Sequence, residues 1–345
     1  MRRIPFDELR RRIEGVLAGL GLSAERAALG ARLTAETDRD GVRTHGIARL
    51  PRFAEMVRAG RIDPLAEPTP VQAAGAIERW TGHHGPGNLA AYAAMRRATE
   101  LATQHGIGLV ALAESSHWMR AGTYGWQAAE AGYAAMCWTN TLPNLPPWGA
   151  RSAALGNNPL VIAVPRRGPD GAGAAVVLDM AMSQFSYGSL AQYAAQGKAL
   201  PVPGGYDEAG ALTTDAAAIE RSQRALPVGF WKGSGLAFVL DVLGAMLAGG
   251  KATHEFSADP LAEVGQSQVF LAIAPHALST LEEMDRLVEG CIASLHAATP
   301  MEAGRAARYP GEGTLRTRAE SLELGVAVED GVWAAFVALE EEAKA

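Results

Sequence analysis

Hydrophobic periodicity changes character twice along these 345 residues, and that change constrains the fold more than any single motif. Near the N-terminus Leu9, Ile13, Val16, Leu17 and Leu20 recur at three- and four-residue steps, the spacing that lines one face of a helix. Ser23 stands where it would cap a second helix over 27–37. A third helix is expected over 47–59, after the polar, glycine-bracketed loop Asp40-Gly41-Val42-Arg43-Thr44-His45-Gly46. From about residue 70 the pattern becomes short runs of Val, Ile, Leu and Ala. Strands are expected at 107–112, 133–139, 159–164, 174–180 and 268–274, with helices near 88–104, 121–131, 188–196 and 234–248. Such alternation builds an α/β layer. Beyond residue 280 helical spacing returns, over 281–297 and 330–343. The expected fold class is therefore α/β, a sheet domain with flanking helices inserted in a helical domain built from both chain ends. In residue terms, 1–72 plus 280–345 form the helical domain and 73–279 the sheet domain, with a flexible glycine-rich turn at 168–173.

Composition narrows the function classes. Apolar residues at 48% and charged residues at 20% describe a chain able to bury a core. A net charge of -6 disfavours a nucleic-acid partner, because phosphate-backbone binding needs concentrated basic surface. Cys137 and Cys291 lack CxxC spacing, so neither a disulfide framework nor a zinc site is indicated, and no metal is expected. The first residues carry charges throughout and do not read as a secretory signal. The apolar stretch 233–250 contains Asp241 and is too short for a convincing membrane span. A cytoplasmic protein without a membrane partner is the expectation.

Dinucleotide recognition by a Rossmann fold would require G-x-G-x-x-G after a buried strand. The nearest match, Gly85-Pro86-Gly87-Asn88-Leu89-Ala90, follows Trp80-Thr81-Gly82-His83-His84, which is no such strand, so a helix-start turn explains it better. The junction Trp231-Lys232-Gly233-Ser234-Gly235 runs into an apolar helix. It reads equally well as a phosphate site of backbone N–H groups and a lysine, or as an ordinary glycine-rich helix start. His45 and Arg49 lie four residues apart and share a face if a helix begins near His45. A histidine can supply the proton that a ketone oxygen takes up during reduction, while an arginine can hold a carboxylate through two parallel bonds. A packing role for His45 stays open on spacing alone. His117, at the carboxyl end of an expected strand, is a second candidate, either in the site or stacked with Trp118 to support a loop. Thr139-Asn140 and Asp179-Met180 combine polar tips with apolar stems. Asp179 could contact a ribose, orient a histidine, or cap a turn.

Taken in order, Gly41-Val42-Arg43-Thr44-His45-Gly46, Trp138-Thr139-Asn140, Asn158-Pro159-Leu160, Asp179-Met180, Lys232-Gly233 and Pro310-Gly311-Glu312 make the chain resemble the malate/L-lactate/L-sulfolactate dehydrogenase family over nearly its whole length. Within it, His117-Trp118-Met119-Arg120, Pro146-Pro147-Trp148-Gly149 and Phe185-Ser186-Tyr187-Gly188 are most similar to the 2,3-diketo-L-gulonate reductase branch. The resemblance implies a homodimer with a non-Rossmann sheet domain that uses NAD, NADH preferred and NADPH possible, to reduce the ketone of a small keto acid. It implies that His45 is the proton donor, Arg49 the carboxylate anchor, and His117 a substrate-binding residue or rival acid. Cofactor contacts are implied at Thr139, Asn140, Ala175, Val176, Val177, Leu178, Asp179, Met180, Ala181, Trp231, Lys232, Gly311, Glu312 and Gly313. The chain departs from the family pattern at Thr44, usually serine, and at Asn157, usually threonine. It departs from the branch at Gln184, usually apolar, and in Gly311-Glu312-Gly313, where the branch has Gly-His-Glu.

Overall fold

The computed structural model describes residues 1–168, 174–257, 263–302 and 304–344, so most of the glycine-rich turn read at 168–173 lies outside the described residues. A first strand, β1 (Arg2–Ile4), precedes the helices α1 (Phe6–Gly19) and α2 (Ala24–Arg39). Leu9, Ile13, Val16 and Leu17 form the buried face of α1, as their spacing requires. Ser23 occupies the cap position of α2, but its side chain makes no capping bond. The expected third helix opens as a 3₁₀ turn, Ile47–Arg49, and continues as α3 (Leu50–Arg58). His45 therefore sits in the preceding turn and not on the helix.

The sheet strands are β2 (Thr69–Ala74), β3 (Ile77–Thr81), β4 (Ile107–Ser116), β5 (Ala134–Thr139), β6 (Leu160–Val164) and β7 (Val176–Met180). Helices α4 (Gly87–His105) and α5 (Gly122–Glu130) flank β4, and α6 (Tyr187–Ala195) follows β7. A short hairpin, β8 (Gly205–Tyr206) and β9 (Leu212–Thr213), leads to α7 (Ala216–Ser222) and then to α8 (Trp231–Ala248). The last sheet strand is β10 (Val264–Ile273). After it come α9 (Leu281–His296), α10 (Glu312–Leu324), β11 (Val326–Val328) and α11 (Asp330–Lys344).

The seven-stranded sheet has the order β2-β3-β4-β10-β5-β6-β7. Only β3 and β4 run parallel; the other neighbours are antiparallel. A dinucleotide-binding doubly wound sheet is mostly parallel, so this mixed sheet has a different topology. Side chains on β4 alternate as a strand demands: Val110 and Leu112 join the layer under α4 and α5, while Ala111 and Ala113 join the layer under α8. A third buried cluster unites both chain ends, packing α1, α2 and α3 against Val326, Val328, Trp333, Phe336 and Leu339. Helix α9 stands apart from it, with Ile292 its one buried residue, and is tied to the end of β6 by Arg166 on Glu289 and Arg167 on Asp285.

Gly85-Pro86-Gly87 is a helix-start turn. Gly87 N–H donates to Ser116 Oγ at 2.8 Å, and that hydroxyl donates to Gly85 O at 2.8 Å. Helix α8 is long and apolar enough by length and composition to cross a membrane. One side of it packs on the sheet, where buried Asp241 accepts from Asn140 Nδ2 at 3.0 Å and from Thr253 N–H at 2.9 Å. Its other side exposes Trp231, Phe238, Val239, Val242 and Met246.

Candidate active site

The loop that carries His45 is closed by a buried carboxylate. Asp38, in the last turn of α2, accepts the Ile47 N–H at 2.8 Å, bridging the segment that presents Thr44 and His45. Gly46 has to be glycine here, because a Cβ would overlap the Asp38 carboxylate. Burial pushes the Asp38 carboxyl up to about 7, against the opposing pull of the Ile47 N–H and the Arg43 charge.

A second segment meets this loop from the carboxyl end of β4. The backbone bends sharply there, with Met119 at φ 61°. His117 Nδ1 accepts the Met119 N–H at 3.0 Å, which leaves the ring proton of the neutral imidazole on Nε2. The two imidazoles stack, their centroids 5.8 Å apart and their planes 20° from parallel. Thr44 Oγ1 lies 2.8 Å from His45 Nδ1, so the hydroxyl at this position keeps a partner on the ring. Burial lowers the His45 pKa to about 4, and the nearby Arg49 and Arg120 charges add to the effect. His117 is pushed well below the usual range by burial, then by Arg49, His45 and Arg52. Both rings are neutral at pH 7 in this state.

These residues open on a cleft of about 430 Å³, within the range of small-ligand sites. It brings together His45, His117, Thr139, Val177, Leu178, Asp179, Ala181 and Gly311 from five separate stretches of chain. Asp179 opens on the cleft; the protein around its carboxyl raises the pKa, while Arg120 and the Gly122 N–H, 2.9 Å away, pull the other way. Gly311 has φ 96°, and a Cβ on it would press on the Val177 nitrogen at 3.1 Å, so the glycine permits the close approach of α10 to β7.

Other expected site residues lie elsewhere. Arg49 does not line the cleft; its Nη2 donates to Glu263 at 2.6 Å. Asn140 is consumed by structure, donating to Asp241 and Lys251 O and accepting from Ser267 N–H at 2.9 Å. Ala175, Val176 and Met180 belong to β7 or its approach without lining the cleft, and Glu312 accepts the Tyr309 N–H at 3.1 Å. Gly313 sits in the first turn of α10, beside Arg308. Trp231 and Lys232 begin α8 away from the cleft, and Trp231 is 65% exposed. The N–H groups of Lys232, Gly233 and Ser234 are already taken by the carbonyls of Gly229, Val228 and Phe230, so this junction presents none of these three to a phosphate.

Among the cleft residues that the sequence did not assign to the site are Arg120 and Trp126. Arg120 was visible as the cation three residues after His117, but its partner is 80 positions away in sequence. Its Nη1 donates to Asp40 Oδ2 at 2.7 Å, and Asp40 also accepts from Arg39 at 2.8 Å and from Arg318 at 2.9 and 2.8 Å. Burial raises the Asp40 carboxyl, but the Arg318, Arg120 and Arg39 contacts together bring it down to about 2.

Comparison with known proteins agrees with this geometry. The profile of the family described as malate/L-lactate dehydrogenase matches residues 4–337. A 2,3-diketo-L-gulonate reductase of Citrobacter koseri is 41% identical over 337 residues, covering 98% of this chain and 100% of the relative. One from Escherichia coli is 40% identical with the same coverage. The sulfolactate dehydrogenase of Methanocaldococcus jannaschii superposes with a TM-score of 0.90 at 26% identity, over 99% of this chain and 98% of that one. Because the match runs through both helical ends and the sheet between them, the chain belongs to the malate/L-lactate dehydrogenase family and is an oxidoreductase.

Proposed function

We propose that the protein is an NADH-dependent reductase of a small, polar 2-keto acid, with 2,3-diketo-L-gulonate as its substrate and His45 as proton donor. The observation that carries this reading is the stacked His45–His117 pair at one end of a cleft that also holds Asp179 and Arg120. Full-length identity of 41% to a reductase of that name supports the substrate.

The cleft suits a nicotinamide ring. Trp126, Val177, Leu178 and Pro310 give the cleft apolar lining, and Gly311 packs close to Val177 and Trp126 without a side chain of its own. Thr139 and Asp179 offer polar groups for a carboxamide. A bound reduced nicotinamide supplies the hydride. The protein's own part is to hold the acid and to provide the proton as charge develops on the ketone oxygen. With its pKa near 4, free His45 carries no proton to spare at pH 7. Burial, and then the Arg49 and Arg120 charges, depress the ring; a substrate carboxylate beside it offsets those two charges and so favours the protonated form of His45. Arg49 serves this reading as a cation beside the acid.

The subunit works as a homodimer in the cytoplasm. Support for the dimer is the exposed apolar side of α8, a surface too apolar to be left in water; support for a reducing compartment is that both cysteines are free. Trp231 and Lys232 lie on that same helix, so a second copy is the means by which they would reach a dinucleotide.

Another 2-hydroxy or 2-keto acid of the same class, malate, lactate, sulfolactate or ureidoglycolate, is the second reading, favoured by the likeness to sulfolactate dehydrogenase. A screen of these acids against NADH and NADPH, following nicotinamide absorbance, separates the two. Turnover of diketogulonate with NADH is expected. Inert diketogulonate beside rapid turnover of another acid overturns the substrate, and the absence of any turnover or cofactor-induced thermal shift points to a non-catalytic sugar-acid binder.

A further inference from the structure

Two arginines adjoin the histidine pair, and they are differently engaged. Arg49 is committed to Glu263, which also lies 3.4 Å from Arg52 Nε, and its guanidinium is outside the cleft. Arg120 lines the cleft and is 4% exposed. Its Nη1 is held by Asp40, whereas its Nε is buried with no hydrogen-bond partner among the described residues. In a guanidinium whose Nη1 is taken, the edge formed by Nε and Nη2 is the one left to meet a carboxylate through two parallel bonds. A buried N–H left unpaired is costly, so such an edge calls for a partner that arrives in the working state.

Charge balance points the same way. One carboxylate, Asp40, is shared by Arg39, Arg120 and Arg318. Glu36 and Glu130 neutralise the outer ends of Arg39 and Arg318, but they are 25% and 41% exposed, so water weakens their reach inward. On the cleft side Arg120 also lies within electrostatic reach of Asp179, whose Oδ2 accepts the Gly122 N–H. His45 lies close enough for the Arg120 charge to be felt there.

Resting on the keto-acid reading above, we propose that Arg120 is the residue that binds the substrate carboxylate, and that Asp40 is the positioning residue that fixes its direction. Arg49, held by Glu263, contributes charge but not the direct contact. The site then takes a 2-keto acid whose carboxylate lies on the Arg120 side of the two histidines.

The test uses the full-length protein and compares an acid with its neutral methyl ester, because a structural role would affect both alike. For wild type, R120Q, R120K and R49Q, kcat/KM is measured with diketogulonate and its ester, and acid binding is titrated calorimetrically. R120Q is expected to lower kcat/KM for the acid about 10²-fold, to change that for the ester less than about threefold, and to leave the NADH-induced thermal shift intact. R120K, which keeps the charge but loses the fork, is expected to lower the acid-to-ester ratio about tenfold and stands in if R120Q does not fold. R49Q is expected to affect acid and ester alike. An unchanged acid-to-ester ratio in R120Q or R120K, or a collapse of that ratio in R49Q alone, overturns the assignment. Should wild type bind the acid without reducing it, the reductase reading fails, while weaker acid binding in the Arg120 variants still upholds the contact and unchanged binding still refutes it.

Discussion

Asp38 and Asp40 are two residues apart on the same turn, yet their surroundings drive them in opposite directions. Asp38 is buried with little compensation and titrates near 7; Asp40, gripped by three guanidiniums, titrates near 2. The signs follow from linkage. An unfolded Asp38 loses its proton near pH 4 while the folded one keeps it to about 7, so this group costs stability progressively as pH rises between those values. D38N keeps an acceptor for the Ile47 N–H and removes the titration. Its unfolding free energy, measured in urea, is expected to lack the decline that wild type shows from pH 4 to 7. Asp40 behaves in the reverse sense: it stabilises above the unfolded pKa, by about 2 kcal/mol, and that stability is lost as pH falls from about 4 to 2. D40N is therefore expected to be less stable than wild type at pH 7 and to approach it near pH 2. Thr139 and Asp179 were legible in sequence as polar tips at the ends of apolar runs, and His45 as a histidine in a glycine-bracketed polar loop four residues before Arg49. The Arg120–Asp40 pair was not, since its two halves, one in the segment after β4 and one at the end of α2, are 80 positions apart, and no local spacing records that they meet.

At the scale of elements, period and burial explain both the successes and the misses. The helix read at 88–104 is α4, and its run of alanines against β4 is what the small-residue pattern allowed. The β2–β3 hairpin went unread because β2 is exposed at every position and so carries no alternation. The pair β1–β11 joins the two ends of the chain through three-residue strands, too short for a periodic signal. Gly87, where α4 begins, is also where element packing reaches the site: a Cβ there would lie 2.6 Å from the Ser116 carbonyl carbon and 2.7 Å from the His117 oxygen. G87A is expected to push α4 from the end of β4, lower stability by about 1–3 kcal/mol, and reduce turnover by displacing His117. Urea midpoints and steady-state rates measure both; a variant with full activity and unchanged midpoint contradicts the packing argument.

For the whole molecule, the change from helical to strand spacing and back was enough to anticipate an α/β fold, and one buried cluster packs residues from both chain ends. The position of α9 was beyond reach, because it is held by charged contacts to β6 and not by a continuous apolar stripe. The exposed side of α8 makes a prediction at this scale. Sedimentation velocity is expected to give twice the 36.2 kDa chain mass for wild type and a single chain for the double variant Phe238→Glu, Val242→Glu; a wild-type monomer contradicts the proposed dimer. The account as a whole turns on proton delivery by His45. Its most direct test is a single-turnover reduction of diketogulonate by NADH-loaded enzyme, wild type against H45A. A fall of about 10² to 10⁴ in the reduction rate with NADH binding retained is predicted; an unchanged rate contradicts it and transfers the role to His117.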